Sequence, residues 1–158
     1  MEHPRVQRRV RTRQSASLPR QDDGSGRATL CRGRLQGAPR RAVLLAAGFG
    51  LRMRPLSEDL PKPLMPVAGK PIIRFIVDKL VEAGLTDFVF VIGYLGEKIR
   101  DFIEETYPDL QTEFVYQEDR EGSAHAIITA REAIEDEDEI IIAFGDTIFD
   151  VDLHQFLE

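Results

Sequence analysis

From residue 41 onward the chain alternates short apolar runs with amphipathic segments, and few folds accommodate that alternation. Ala42–Ala46, Asp87–Ile92, Thr112–Gln117 and Glu139–Phe144 have strand length, and the first is apolar without interruption, as a strand covered on both faces must be. Between them lie three helix-like segments. Pro71–Ala83 places Ile72, Ile73, Ile76, Val77 and Leu80 at helical spacing and stops at Gly84. Gly96–Tyr107 turns Ile99, Phe102 and Ile103 to one side and ends before Pro108. Ser123–Ile134 does the same with Ala126, Ile127, Ala130 and Ile134, and Ser123 is the expected N-cap. Four strand-helix units joined by short connections predict an α/β fold with a mostly parallel sheet, helices on its faces and right-handed crossovers.

The preceding segment is of another kind. Met1–Arg41 holds eleven Arg, no Lys and three acids, whereas the whole chain has 21 basic and 27 acidic residues, which leaves 10 and 24 for the rest. Residues 1–40 lack apolar periodicity, so they cannot bury enough surface to offset the entropy of ordering. We expect a disordered extension there and one folded unit over residues 41–158. Three readings of the extension compete: a nucleic-acid-binding arm, an organellar transit peptide, or an artefactual start upstream of the true one. Arginine without lysine and without helical amphipathicity favours the artefact, and a nucleic-acid partner is disfavoured.

No apolar run approaches the ~18 residues a membrane span needs, and no secretory signal opens the chain. A soluble, cytoplasmic protein with no membrane partner is the expectation. One cysteine and three scattered histidines offer no tetrahedral zinc set.

In open parallel sheets ligands bind beyond the carboxyl ends of the strands. Three conspicuous features fall there: Gly48 and Gly50 after the first strand, Gln117 after the third, and Gly145-Asp146 after the fourth. Glycines after a strand let backbone N–H groups turn toward an anion that a Cβ would obstruct. Two common phosphate loops are excluded. A dinucleotide fingerprint needs a third glycine where Met53 stands, and an acid near Ile92-Gly93-Tyr94. A Walker A loop fails at Gly69-Lys70, because Pro71 replaces the Ser or Thr and Leu64 the first glycine. That triplet reads instead as a turn entering a helix, with Pro71 at the first helical position.

Leu44-Leu45-Ala46-Ala47-Gly48-Phe49-Gly50-Leu51-Arg52-Met53-Arg54-Pro55, followed by Pro61-Lys62-Pro63-Leu64, resembles the signature of the sugar-1-phosphate nucleotidyltransferases, L-A-G-G/A-x-G-T-R-hydrophobic-x-P-L and then P-K-P-L-x-P-V. In overall look the stretch is similar to glucose-1-phosphate thymidylyltransferase-like members. The resemblance covers residues 41–158 and implies a Rossmann-like three-layer sandwich of the nucleotide-diphospho-sugar transferase type. It also implies transfer of a nucleotidyl group from a nucleoside triphosphate to a sugar-1-phosphate, releasing pyrophosphate, with glucose-1-phosphate and dTTP or UTP as the expected pair. Such chemistry asks the protein for in-line positioning and charge neutralisation.

Roles follow from the resemblance position by position. Ala46, Ala47, Gly48 and Gly50 would cradle the triphosphate. Arg52 would hold the leaving phosphates, and Lys62, stiffened by Pro61 and Pro63, would reach the reacting ones. Gln117 and Gly122 would contact the base, since an amide offers both donor and acceptor. Asp146 would ligate Mg²⁺, although Asp150 and Asp152 lie near enough to compete for the part. His125 is expected to pack or cap near its helix start, and Glu135–Glu139 to be a solvated connection.

Leu51 departs from the family pattern by replacing its Thr. The last residues, Asp152 to Glu158, look like the first turns of a helix without a stop signal. The resemblance therefore implies an N-terminal, nucleotide-binding piece, truncated before a second metal-binding aspartate, most sugar contacts and any homo-oligomer interface of the full-length protein. Two functional classes stay open: an enzyme, and a non-catalytic nucleotide-binding or regulatory relative of the same fold. Retention of Arg52, Lys62 and Asp146 together favours enzyme ancestry.

Overall fold

The computed structural model describes residues 41–48, 50, 59–119 and 122–157. The extension over residues 1–40 and the signature residues Phe49 and Leu51–Glu58, Arg52 among them, lie outside the described residues.

The described residues form six strands and five α-helices in the order β1 (Arg41–Ala46), β2 (Pro66–Val67), β3 (Lys70–Pro71), α1 (Ile72–Glu82), β4 (Asp87–Ile92), α2 (Gly96–Thr106), β5 (Gln111–Tyr116), α3 (Gly122–Thr129), α4 (Arg131–Ile134), β6 (Ile140–Phe144) and α5 (Leu153–Phe156). The main sheet runs β5-β4-β1-β6 and all its pairings are parallel. In register, Ala46 faces Ile92 on one side, and Leu45 faces Phe144 on the other. The mostly parallel α/β sandwich read from the sequence is the fold observed.

Alternation along each strand sorts the core into two halves. Ala42, Leu44, Ala46, Phe88, Phe90, Ile92 and Phe114 pack against Ile73, Ile76, Val77 and Leu80 of α1 and Ile99 and Ile103 of α2. The opposite face carries Val43, Leu45, Val89, Val91 and Val115 against Ala126 of α3, Ala133 of α4 and Ala130 between the two helices. Phe90 stacks on Phe114 with ring centroids 5.3 Å apart, which ties β4 to β5 within the first half. This division has a topological cause. The chain steps from β1 to β4 to β5 in one direction, then returns across β1 to β6, and a single crossover hand places helices made on the return on the other face.

On that second face α3 and α4 are short, and their cover stops before β6 does. Ile142 and Phe144 are 41% and 51% exposed, and among the described residues no strand pairs with the far edge of β6.

Three expectations are corrected. Pro71 is the residue before α1, with φ −55° and ψ 141°, because it is still held in a two-residue ribbon opposite Pro66, beside the bond from the Ile72 N–H to the Met65 carbonyl at 3.1 Å. The turn of that ribbon is Ala68-Gly69, both at positive φ (50° and 79°), the combination a tight hairpin of this hand requires. Ser123 does not open α3. Gly122 does, and its φ of 87° makes the reversal that a side chain would resist. The single helix expected over Ser123–Ile134 is two, broken at Ala130, where the hydroxyl of Thr129 donates back to the His125 carbonyl at 2.8 Å and the Ala130 N–H is shared between the Ala126 and Ile127 carbonyls. Back-bonding of this kind weakens the regular helical ladder.

Candidate nucleotide site

Strand order places the candidate site before any side chain is considered. The direction of winding reverses at β1, so the crevice beyond the carboxyl ends of β1 and β6 is the switch point where open α/β sheets take ligands. Ala47, Gly48 and Gly50 leave β1 there, and Gly145-Asp146 leave β6. Two strands away Gln117 leaves β5, with its backbone N–H bonded to the Ile92 carbonyl at the end of β4 (2.8 Å). From β5 to β6 is three strand spacings, roughly 14 Å, a span that an extended nucleoside triphosphate can bridge.

The β1 and β6 ends touch closely. The Gly145 N–H continues the ladder to the Leu45 carbonyl at 2.9 Å, and a Cβ built on Gly145 would lie 3.0 Å from the Ala46 Cβ and 3.3 Å from the Leu45 oxygen. On the other flank a Cβ on Gly93 would lie 3.0 Å from the Ala47 oxygen. Glycine at both positions lets the two neighbouring strand ends close on the small residues Ala46 and Ala47. Gly48 differs. Its φ is not positive, and among the described residues a Cβ there would meet nothing within 4 Å.

Lys62 arrives from a distant part of the chain. Pro61 adopts φ −65° and ψ 143° just before a 3₁₀ turn, Lys62–Leu64, closed by bonds from the Leu64 N–H to the Pro61 carbonyl (2.8 Å) and from the Met65 N–H to the Lys62 carbonyl (3.0 Å). Pro61, Pro63, Leu64 and Met65 are buried, so the turn is anchored on three sides and only the lysine points outward. Its Nζ donates to Asp146 Oδ2 at 2.6 Å, while the Thr147 hydroxyl donates to Oδ1 at 3.2 Å. An ammonium and a carboxylate are thereby held at the switch point, each about a third exposed.

The competing aspartates are occupied elsewhere. Asp150 is fully exposed and pairs with Lys79 at 3.2 Å. Asp152 caps α5, accepting from the N–H groups of His154 and Gln155 at 3.0 and 3.2 Å. Glu135–Glu139 is exposed, as a solvated connection would be, and Glu137 lies 3.4 Å from Arg41. Among the described residues no three His, Cys, Asp or Glu side chains converge as a complete metal cage. Mg²⁺ rarely asks for one, since one or two carboxylates commonly hold it together with water and substrate phosphates. Asp146 fits that donor set.

At the other end of the row the Gln117 Nε2 lies 3.2 Å from the Gly122 carbonyl oxygen and 3.1 Å from His125 Nδ1. Nearby the Tyr116 hydroxyl donates to Glu97, and burial together with that bond pushes the phenol up to about 12. The contact with His125 had no clear mark in the sequence. Its only signal was position, since a residue three beyond the helix-opening glycine faces back over the first turn.

The nucleotidyl transferase family model matches residues 41–158. The chain is 41% identical over 113 residues to the UTP–glucose-1-phosphate uridylyltransferase AglF of Haloferax volcanii, covering 72% of this chain and 46% of that protein. It is 38% identical over 117 residues to the bifunctional protein GlmU of Methanocaldococcus jannaschii, covering 74% of this chain and 27% of the relative. Among solved structures, a UDP-glucose pyrophosphorylase complexed with UDP-glucose superimposes with a TM-score of 0.66 at 24% identity, over 75% of this chain and 52% of the other. The chain thus spans between about a quarter and a half of the length of these proteins. Among the described residues no helix is long and apolar enough to cross a membrane.

Proposed function

Because the chain belongs to the nucleotidyl transferase family, we propose that it forms the nucleotide-binding part of an enzyme that joins a nucleoside triphosphate to a sugar-1-phosphate. In that reaction an oxygen of the sugar phosphate attacks the α-phosphorus, a new P–O bond forms, and the bond to the departing pyrophosphate breaks. Glucose-1-phosphate with UTP or dTTP is the favoured pair, and the name carried by the Haloferax relative supports the uridine choice.

The observation that carries this reading is the pairing of Lys62 with Asp146 at the switch point. A lysine fixed between two prolines and a carboxylate fixed by a glycine-tight strand end supply the two charges that nucleotidyl transfer needs, one for phosphate oxygens and one for their counter-cation. Gly48, Gly50, Ala46 and Ala47 give backbone approach to the triphosphate, and Arg52 adds a second cation to it. Gln117 and Gly122 stand where the base would lie. Mg²⁺ bound at Asp146 would neutralise phosphate charge and make pyrophosphate a better leaving group. Meanwhile Lys62, released from the carboxylate, would turn its ammonium to the phosphates, and the β1 amides would hold the chain of phosphates in line.

The test is pyrophosphate release with Mg²⁺, scanning nucleoside triphosphates against sugar-1-phosphates, with nucleotide binding recorded in the same samples. Release with one pairing identifies the reaction. Binding without release is the signature of a nucleotide-holding part whose turnover needs further chain. Absence of both overturns the proposal.

A further inference from the structure

The Gln117 side chain has little freedom in how it meets a ligand. Its Nε2 lies 3.2 Å from the Gly122 carbonyl oxygen, which can only accept, so the NH₂ end of the amide must face that way. The same nitrogen lies 3.1 Å from His125 Nδ1. Nε2 carries two hydrogens, one for each neighbour, and the second bond requires Nδ1 to be the unprotonated, accepting nitrogen of the ring. The ring itself is carried by the first turn of α3. Both donors of Gln117 are consumed within the chain, and no described residue donates to its Oε1.

We propose that His125 is a positioning residue for base selection: by taking the second donor of Gln117 it commits that side chain to meet a base with its carbonyl oxygen alone. An amide able to flip would serve an acceptor or a donor with equal ease. Held as it is, it favours bases with an N–H at the middle of the pairing edge, as uracil, thymine and guanine have. It disfavours cytosine and adenine, whose ring nitrogen at that place is an acceptor. A misplaced acceptor leaves two lone pairs facing each other in a half-buried site, and failures of this type are what give hydrogen-bonding sites their discrimination. The inference rests on the nucleotide-binding reading above and adds to it the residue that orients the base contact.

The experiment uses the whole chain with Mg²⁺ and compares UTP with CTP by calorimetry, in the parent, in His125→Phe, which keeps a ring without an acceptor, and in His125→Asn, whose side-chain oxygen can take the place of Nδ1. The parent should prefer UTP by 10-fold or more, the Phe variant should lose most of that ratio, and the Asn variant should regain it, with all three melting as folded proteins. In the nucleotide-free parent, ¹⁵N spectra should show Nδ1 unprotonated and hydrogen-bonded. A UTP preference that survives His125→Phe, or a protonated Nδ1 in the neutral ring, overturns the positioning role and leaves the nucleotide site standing. Failure of the parent to bind either nucleotide overturns the proposed function itself, and the base-selecting role with it.

Discussion

Lys62 Nζ and Asp146 Oδ2 sit 2.6 Å apart although 84 positions separate them in the chain. The lysine comes from a proline-framed turn and the aspartate from just beyond the end of β6, so the pair joins two segments at the switch point. Each member is about a third exposed. Solvent screening keeps such a pair worth no more than about 1 kcal/mol to the fold. Its charges are more consequential for a ligand than for stability.

Lys62→Met should therefore leave the urea midpoint nearly unchanged and weaken nucleoside triphosphate binding by about 10- to 100-fold, the cost of one charge-assisted hydrogen bond of ~1.5–3 kcal/mol. Urea denaturation checks the first half of the expectation and calorimetric titration the second. Unaltered affinity would remove Lys62 from the phosphate site.

The same substitution has a second consequence, opposite in sign. In the nucleotide-free chain the ammonium competes with any divalent cation for Asp146, so Lys62→Met should tighten Mn²⁺ binding by up to about fivefold, within the ~1 kcal/mol that a partly exposed pair contributes. Asp146→Asn should abolish that binding in either background. Electron paramagnetic resonance of free Mn²⁺ reads both, and equal Mn²⁺ affinity in parent and Asn variant would rule out Asp146 as a ligand.

Two glycines at the site should behave in contrary ways. Gly145→Ala forces a Cβ to 3.0 Å from the Ala46 Cβ and 3.3 Å from the Leu45 oxygen, and should cost about 1–3 kcal/mol of stability while spreading β1 from β6. Gly48→Ala meets no described atom within 4 Å. It should change stability by less than about 0.5 kcal/mol and yet weaken nucleotide binding tenfold or more. Denaturation curves beside binding curves separate the two. A Gly48 variant that binds normally would mean that no phosphate approaches there.

Much of this arrangement was legible in the sequence because local patterning dictates it. Asp87–Ile92 begins and ends as its apolar run does, and the first two helices end within one residue of their expected limits, at Glu82 and Thr106. Gln117 and Asp146, strand-end residues by sequence, stand one and two residues beyond β5 and β6. What stayed hidden depends on contacts between distant segments or on rare backbone states. Nothing in Ala68 announces a φ of 50°, which alanine adopts only when the Pro66–Pro71 pairing around it compels it. The break at Ala130 follows from a hydroxyl choosing a carbonyl. The Gln117–His125 contact depends on how α3 is set against β5, which no periodicity encodes.

Away from the site, Asp78 gathers Lys70 at 2.6 Å, Arg74 at 3.8 Å and the Tyr107 hydroxyl, and so fastens the β2–β3 ribbon and the end of α2 to α1. Burial pushes its carboxyl up, but the hydrogen bonds from Lys70 and Tyr107 and the charges of Lys70 and Arg74 outweigh it and hold the group below its ordinary 3.8. A depressed carboxylate stabilises the fold fully above the unfolded value and loses that contribution as pH falls through the folded one. Stability should accordingly be flat in this respect above about pH 5 and decline below about pH 4. Asp78→Asn should lower stability at pH 7 by about 1 kcal/mol and flatten part of the acid decline. Tyr107→Phe should lower it by a similar amount while making the acid decline shallower, because Asp78 then moves back toward 3.8. Urea midpoints at pH 7, 4 and 2.5 for the three proteins decide the matter, and parallel pH curves for parent and Asp78→Asn would show that this carboxylate does not govern the acid limb.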